Sequence, residues 1–339
     1  MRTLITFDYN NLAHRCAHLS QTGRSADARA WSLLSYMVFN GMWHFLQEVT
    51  EFMDAGDAAD VVLALDSREG YWRRDIYPPY KADRARRREE DGIDWPRAYE
   101  EFDRLSRAIA DHTPWKVIRV AGCEADDVIY SLTRAFDGPV IIHSGDSDYL
   151  QLVSDRVSLY SPHAADYVEF PRVCRIAGGE AYCATPQEYL LYAILTGQGG
   201  KDNVYNVKTP ADWDAACGKR KPGFGVKAAE RLIARAGEIP LENALAEAGI
   251  LDGYLRNRRL IDMRELPENL ENAIVAAWKD APAREPDMAG LLSVFDWPSL
   301  RGQEEEMDER LRLWSGGIVE RQPVDAPRAP EEDVCDFVL

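Results

Sequence analysis

The chain has 339 residues, of which 46% are hydrophobic, and its net charge is −17; this length allows one large globular domain or two ordinary ones. No apolar run approaches the roughly 18 residues of a membrane helix, and Asp8 interrupts the apolar N-terminus, so we expect a cytoplasmic protein with neither membrane span nor signal peptide. Taken alone, the acidic charge argues against a nucleic-acid partner.

Strand-like and helix-like patterns alternate along the first half of the chain. Apolar strand patterns lie in RTLITFD, DVVLALD, WKVIRV and PVIIHSGD, and helical spacing lies in DARAWSLLSYMVFNGMWHFLQEVTEFM, WPRAYEEFDRLSRAIADH and CEADDVIYSLTRAF. This alternation predicts a parallel sheet with helices on both faces. The strands are nearly continuous apolar runs, which is typical of strands buried on both faces.

From about residue 186 the pattern changes to helices alone, in PQEYLLYAILTG, GVKAAERLIARAG, LENALAEAG and PENLENAIVAAWK. Residues 320–339 are rich in proline and acidic residues, a composition that predicts a flexible tail. We therefore divide the chain into an α/β domain at 1–185, a helical domain at 186–300 and the tail.

The six cysteines are scattered along the sequence without a C-x-x-C pair. Neither a zinc site nor a disulfide framework is expected from such spacing. We expect reduced thiols.

A basic segment stands out in this acidic protein. Between Arg68 and Arg88 there are eight basic residues and three acidic ones. A run of this kind is most often a solvated charged face. Four aromatic residues are interleaved with it, however, and aromatic rings can stack on unpaired bases; they are Tyr71, Trp72, Tyr77 and Tyr80. The segment therefore favours a local nucleic-acid contact.

Acidic residues follow the strand patterns at the point where each strand ends. Three strands lead into Asp8, Asp66 and the pair Asp146 and Asp148. The sequence EADD adds Glu124, Asp126 and Asp127 at the start of a helix. Because ligands of an open parallel sheet bind beyond the carboxyl ends of its strands, we expect all these side chains at one rim.

Each of these acids also has an ordinary structural explanation. Asp is a common helix N-cap, SGD is good turn chemistry, and acids in a first helical turn favour the helix dipole. These explanations do not account for about seven carboxylates converging from four places. Like charges so close need a counter-ion, and a set of oxygen ligands favours Mg²⁺ or Mn²⁺ over zinc.

Five stretches in the same order resemble the 5′-nuclease superfamily of 5′→3′ exonucleases and flap endonucleases, including its ribonuclease H-type phage members. They are GYWRRDIYPPYKADR, EADDVI, SGDSDYLQLV, LTGQGGKDNVYNVK and GFGVKAAERLI, and the resemblance covers roughly residues 1–280. Five motifs in order are far more specific than any one of them. The resemblance implies a PIN-like parallel-sheet nuclease domain with a helical arch at about residues 68–95, followed by a mostly helical domain with a helix–hairpin–helix element.

The resemblance also implies the chemistry: hydrolysis of phosphodiesters at 5′ ends, flaps or RNA primers during DNA replication. It implies two Mg²⁺ ions, with Mn²⁺ as a substitute, and two metals about 4 Å apart clamp the attacking and leaving oxygens of a phosphodiester. The implied partners are DNA and RNA–DNA duplexes with 5′ ends or flaps. The protein would be a monomer in the cytoplasm, the host's if it is phage-encoded.

Matched position by position, the resemblance assigns three sets of residues. Its metal-binding acids are Asp8, Asp66, Glu124, Asp126, Asp127, Asp146, Asp148 and Asp202, and its catalytic cations are Lys81 and Arg84. Its nucleic-acid contacts are Arg73, Arg74, Tyr80, Arg86, Arg87, Arg88, Gly223, Gly225 and Lys227. For the two glycines an ordinary turn before a helix is an equal alternative.

One departure from the family pattern concerns the metal ligands. The family has two aspartates in a TGD-x-x-DN stretch, whereas this chain has LTGQGGKDN, with Asp202 present and Gln198 near the place of the first aspartate. One ligand of the second metal is therefore expected to be missing or replaced by water.

Two other functions stay open at this point. One is a structure-specific DNA-binding protein with decayed catalysis, which the missing aspartate favours. The other is a Mg²⁺-dependent phosphohydrolase of small molecules, which explains the acids but not the basic aromatic segment. The C-terminal PEEDVCDFVL places apolar residues after acids, a composition that suits a docking peptide for a sliding clamp.

Overall fold

The computed structural model describes residues 1–19, 28–51, 53, 57–213, 221–282 and 284–316. Its centre is a six-stranded sheet with the order β3-β2-β1-β4-β5-β6, in which only β6 is antiparallel to its neighbour. The strands are β1 (Arg2–Asp8), β2 (Ala58–Leu65), β3 (Lys116–Arg119), β4 (Val140–His143), β5 (Val157–Ser161) and β6 (Asp166–Tyr167). The strand order reverses between β1 and β4, and the crevice of such a sheet opens at that point.

Helices cover both faces of the sheet. Those in the first half are α1 (Tyr9–Leu19), α2 (Ala28–Glu51), α3 (Arg73–Ile76), α4 (Arg84–Glu90), α5 (Trp95–His112) and α6 (Ala125–Ala135). A two-stranded hairpin, β7 (Arg172–Ile176) and β8 (Gly179–Cys183), follows the sheet. The later helices are α7 (Pro186–Thr196), α8 (Gly199–Asp202), α9 (Val226–Ala236), α10 (Leu241–Glu247), α11 (Leu251–Ile261), α12 (Glu268–Asp280), α13 (Met288–Val294) and α14 (Glu304–Trp314).

Two hydrophobic clusters lie on opposite faces of the sheet. Neighbouring strand residues alternate between them, so that Val62 lies in one and Leu63 in the other. This is the two-residue period of a strand whose faces are both covered. One cluster joins the sheet to α6 and the helices of residues 186–280, and the other joins it to α1, α2, α5, α13 and α14.

The α/β architecture predicted from the sequence is confirmed. The helix predicted at WPRAYEEFDRLSRAIADH matches α5 at both ends. The Asp94 side chain accepts a hydrogen bond from the backbone N–H of Arg97 at 3.2 Å, which caps this helix at its start. The division at residue 185 stays a prediction, and the chain returns through α13 and α14 to the face that carries α2 and α5.

Several other expectations concern the chain as a whole. Four cysteines, at positions 16, 123, 174 and 183, are buried and free, whereas Cys217, Cys335 and the tail at 320–339 lie outside the described residues. Within the described part of the chain, no helix combines the length and the apolar character needed to cross a membrane.

Candidate metal and nucleic-acid site

A polar cleft of about 200 Å³ opens at the carboxyl ends of the sheet strands. It lies at the switch point between β1 and β4, where the acids were expected to meet. Its lining consists of carboxylates, amides and basic side chains: Asp8, Asn10, Asn11, His14, Asp66, Lys81, Arg84, Glu124, Asp126, Asp146 and Lys201.

The strand ends place the carboxylates, and two asparagines fix the loops between them. Asp8 is the last residue of β1 and Asp66 follows β2 directly. At the start of α1, the Asn10 side-chain oxygen accepts a hydrogen bond from the backbone N–H of Asp66 at 3.1 Å. The Asn11 oxygen accepts one from the backbone N–H of Gly145 at 3.2 Å. Sequence reasoning missed both asparagines, although they lie only two and three positions after Asp8.

Three of the carboxylates form one half of the site. Asp8, Asp66 and Asp126 have no ion pair with another described residue. Neutral groups donate hydrogen bonds to them instead: the hydroxyl of Tyr149 donates to Asp8 at 3.3 Å and to Asp126 at 3.0 Å. We call Asp8, Asp66 and Asp126 the unpaired triad.

The unpaired triad carries more negative charge than its surroundings stabilise. Burial raises the pKa of Asp8 to about 7, with the neighbouring Asp66 carboxylate adding to the shift. Burial, then Glu124, raises the pKa of Asp66. Burial, then Asp146, raises the pKa of Asp126 well above its ordinary value. A bound cation would relieve all three groups at once.

The remaining carboxylates are paired with basic side chains of the protein, although burial, then Asp146, still raises the pKa of Asp148 to about 6. The ammonium of Lys201 lies 2.5 and 2.7 Å from the two oxygens of Asp146 and 2.7 Å from Asp148. The guanidinium of Arg84 lies 2.8 Å from Asp202. Sequence reasoning did not single out Lys201, because a lysine inside a glycine-rich loop gives no sign of its partner.

The two expected catalytic cations both reach the cleft. Lys81 forms an ion pair with Glu124, and the backbone N–H of Lys81 donates to the carbonyl of Asp202 at 2.9 Å. Burial alone would raise the pKa of Glu124, but Lys81 and Arg73 lower it to about 2. Lys81 has a φ of 54°, a conformation that non-glycine residues adopt mainly where the surrounding structure imposes it.

Asp127 was expected to bind metal and Arg73 to bind nucleic acid, but in the structure each is buried and paired with the other. The two side chains are buried together, with Arg73 nitrogens 2.9 and 3.0 Å from the Asp127 carboxylate and 2.9 Å from Glu124. Asp127 also accepts hydrogen bonds from the indole of Trp72 at 3.1 Å and from the backbone N–H of Glu124 at 2.9 Å. This ion pair holds the start of α6 against α3, and neither Arg73 nor Asp127 belongs to the lining of the cleft.

The aromatic residues of the basic segment were expected to stack on bases, and three of them cannot. Trp72, Tyr77 and Tyr80 are buried, with exposed fractions of 9%, 5% and 3%. The hydroxyl of Tyr80 donates to Glu124 at 3.0 Å, so this side chain supports a carboxylate of the cleft and does not contact solvent. These aromatic rings are buried around α3, and the sequence alone did not show whether they would be buried or exposed.

The other basic residues of the segment are more accessible. Arg74, Arg86 and Arg87 are exposed, and Arg88 is half-buried with its guanidinium over the ring of Tyr99. Arg74 belongs to α3, and the other three belong to α4, which begins at the cleft-lining residue Arg84. Arg87 also donates to backbone carbonyls of α8, so the base of the predicted arch is tied to the loop that carries Lys201.

The predicted helix–hairpin–helix glycines lie just before α9. Gly225 has a φ of −107°, and a Cβ atom added at Gly223 or Gly225 would meet no atom within 4 Å. Neither packing nor backbone strain inside the chain therefore requires glycine at these two positions. Lys227, in the first turn of α9, is exposed beside them.

Among the described residues, no group of three or more His, Cys, Asp or Glu side chains is already arranged to hold a metal ion. Any ion would therefore be held only after carboxylate side chains turn toward one another. The donor set fits a hard divalent cation, because the unpaired triad offers oxygen ligands alone. His14 lines the cleft, but burial, with Arg88 and Arg84 nearby, lowers its pKa to about 3.

The family described as 5′-3′ exonuclease, N-terminal resolvase-like domain, matches residues 3–175 of the 339. The chain belongs to this 5′-3′ exonuclease family. Ribonuclease H of enterobacteria phage T4 is 30% identical over 222 residues, which are 63% of this chain and 68% of the phage protein. This nuclease family hydrolyses phosphodiester bonds, so the chain is a hydrolase of that class.

One further relative is a longer protein. The thermostable DNA polymerase I of Thermus aquaticus is 30% identical over 251 residues, 71% of this chain but only 26% of the polymerase.

Among solved structures, the crystal structure of phage T5 D15 protein co-crystallised with metal ions has a TM-score of 0.56 at 16% identity. It covers 83% of this chain and 100% of the T5 chain, which confirms the fold.

Proposed function

We propose that the protein is a divalent-metal-dependent 5′→3′ exonuclease and flap endonuclease that hydrolyses phosphodiesters at 5′ ends, flaps or RNA primers in DNA replication. The observation that carries this proposal is the unpaired triad: the buried carboxylate of Asp8 and the half-buried carboxylates of Asp66 and Asp126 form no ion pair with a described residue at the switch point of a 5′-3′ exonuclease sheet. The similarity to a phage ribonuclease H supports RNA primers as one substrate. The T5 flap endonuclease structure with DNA and metal ions supports flaps, through its fold alone.

The metal proposed here is Mg²⁺, with Mn²⁺ as a substitute, held by Asp8, Asp66 and Asp126. When bound, the ion supplies Lewis-acid activation for hydrolysis of the phosphodiester. Lys81 and Arg84 line the same cleft and present positive charge to an incoming phosphate. Preorganised cations of this kind stabilise the charge that develops in the transition state.

Cleavage of 5′-labelled substrates tests this proposal. A flap duplex, a nicked duplex and an RNA–DNA hybrid are incubated with Mg²⁺, with Mn²⁺ and with EDTA, and the products are sized. We expect short products from the 5′ end in either metal and none in EDTA. Binding of the flap without cleavage would instead support the decayed DNA-binding protein. Turnover of small phosphate esters, with the DNA intact, would support the phosphohydrolase.

Arg86 is proposed to contact the nucleic-acid backbone, since it is exposed on α4. Arg86→Ala should reduce the slope of log affinity for a flap duplex against log salt by about 1, because one fewer counter-ion is released. Arg310→Ala is the matched control: each arginine is paired with a glutamate four positions away on a helix, and the exposed fractions of the two side chains are 63% and 42%. Equal slopes for the two variants would show that Arg86 does not contact the nucleic acid.

Gly223 and Gly225 are proposed to let a phosphate approach the backbone before α9. Gly223→Ala combined with Gly225→Ala should leave the melting temperature within a few degrees, because the added methyl groups meet no atom of the chain. The double variant should weaken flap binding about tenfold, since each Cβ would stand where the nucleic acid approaches. Unchanged affinity for the flap would show that the two glycines form an ordinary turn before α9.

The remaining proposals concern partners. The C-terminal peptide proposed for the sliding clamp lies outside the described residues. Its deletion should leave cleavage of short oligonucleotides unchanged and remove any stimulation by the clamp on primed circles. Monomeric state and a cytoplasmic location, in the host if the protein is phage-encoded, stay proposals as well.

A further inference from the structure

Lys201 stands among carboxylates that a nuclease of two metals would need for its second ion. Its ammonium lies 2.5 and 2.7 Å from the oxygens of Asp146 and 2.7 Å from one oxygen of Asp148. The second oxygen of Asp148 accepts from the amide nitrogen of Gln198 at 2.5 Å. All four oxygens of the two carboxylates thus face donors supplied by the 198–201 loop.

The backbone holds Lys201 in this place. The backbone N–H groups of Lys201 and Asp202 both donate to the carbonyl of Gln198, at 3.0 and 2.8 Å. A Cβ atom at Gly199 would stand 2.8 Å from the ring of Tyr205, so this turn is tightly packed. The exposed guanidinium of Arg87 donates hydrogen bonds to the carbonyls of Gly200 and Lys201, at 2.8 and 3.1 Å.

The third carboxylate on this side is also paired with protein cations. Asp202 is 1% exposed, with Arg84 at 2.8 Å and Lys81 at 4.0 Å. The cleft is therefore divided: Asp146, Asp148 and Asp202 have protein cations, whereas the unpaired triad of Asp8, Asp66 and Asp126 has none among the described residues. A divalent ion between Asp146 and Asp148 would have to displace the Lys201 ammonium.

We propose that Lys201 is a resident cation that replaces the second divalent metal, so that the protein binds a single metal ion, at the unpaired triad. This inference rests on the proposed function, because it concerns the ion count of that same site. It differs from the expectation of two Mg²⁺ ions. It also accounts for Gln198 near the place of the missing aspartate, since an amide donor suits a carboxylate already paired with lysine, whereas a further carboxylate would add unpaired charge.

Metal stoichiometry tests the inference without relying on activity. Mn²⁺ is titrated into the full-length protein by calorimetry, and free Mn²⁺ is counted by its paramagnetic resonance. We expect one ion per chain in the wild type. Lys201→Met, which keeps the length of the side chain and removes its charge, should bind two. Lys201→Arg keeps the cation and should bind one, as should the exposed control Lys279→Met.

A double variant locates the gained ion. Asp148→Asn combined with Lys201→Met should return the stoichiometry to one, because it removes a ligand of the new site. Two ions in the wild type, or no gain in Lys201→Met, would overturn the inference. If Lys201→Met does not fold, the number of ions bound per wild-type chain still tests the inference. A wild type that binds two ions and cleaves flaps leaves the proposed function standing, whereas one that binds no ion and does not cleave removes the proposed function itself.

Discussion

Asp8→Asn should reduce cleavage of a 5′ flap by at least about 10²-fold, because it removes an anionic ligand from the unpaired triad and metal catalysis supplies several kcal/mol. The same substitution should stabilise the metal-free protein. Asp8 is 4% exposed; one of its oxygens accepts from the hydroxyls of Ser144 and Tyr149, which an Asn oxygen can keep, and the other accepts from the backbone N–H of Asn11, which the Asn amide group cannot. Loss of activity together with a gain in stability separates a metal ligand from a structural carboxylate.

The pH dependence of this gain follows from the raised pKa of Asp8. Its folded-state pKa of about 7 lies above the ordinary 3.8, so the folded state loses stability relative to the unfolded chain as pH rises from about 4 to 7. Above pH 7 the Asn variant should be more stable by on the order of 2–4 kcal/mol, and near pH 4 the two proteins should converge. Urea unfolding in EDTA at pH 4.5 and 8 measures the difference.

The control for this prediction is Asp155→Asn, which changes an exposed acid outside the cleft. It should alter neither cleavage nor the free energy of unfolding beyond about 0.5 kcal/mol. Flap cleavage at the wild-type rate by Asp8→Asn in saturating Mg²⁺ would contradict the assignment of the triad. Loss of stability at pH 8 would show that Asp8 is a structural group.

The sequence predicted the meeting of carboxylates because parallel strands impose it. Once four apolar runs are strands of one parallel sheet, the residues that follow them must lie at one edge, and Asp8, Asp66 and Asp146 do. The strand β5 was missed because VSLYS spans only five residues. The helix α1 was missed because it begins with YNN directly after β1, without a turn between them.

The division of the cleft into neutralised and unpaired carboxylates was not predictable from the sequence. Lys201 pairs with Asp146 across 55 positions, and Arg73 pairs with Asp127 across 54. Such pairings are set by how the loops fold onto the sheet, not by local spacing. In particular, the two adjacent arginines of GYWRRD differ in burial: Arg73 is buried and Arg74 is exposed.

That difference leads to the second large effect, on stability. Arg73→Ala should lower the free energy of unfolding by about 3–5 kcal/mol, because removing one member of a buried ion pair leaves buried charge without a partner. Glu124 keeps Lys81, but Asp127 is fully buried and has no other described cation. Urea unfolding, followed by fluorescence of the adjacent Trp72, measures the change.

Arg74→Ala is the matched control, since it removes the neighbouring arginine from an exposed position, where its guanidinium donates to the carbonyl of Tyr80 and lies over the ring of Tyr71. It should change stability by about 0.5 kcal/mol or less. Arg73→Lys should fall between the two, because lysine restores the charge but not the paired donors that reach Asp127 and Glu124 together. If Arg73→Ala instead unfolds like the wild type and loses flap affinity, the side chain must leave its carboxylates to bind nucleic acid, as the basic run in the sequence first indicated.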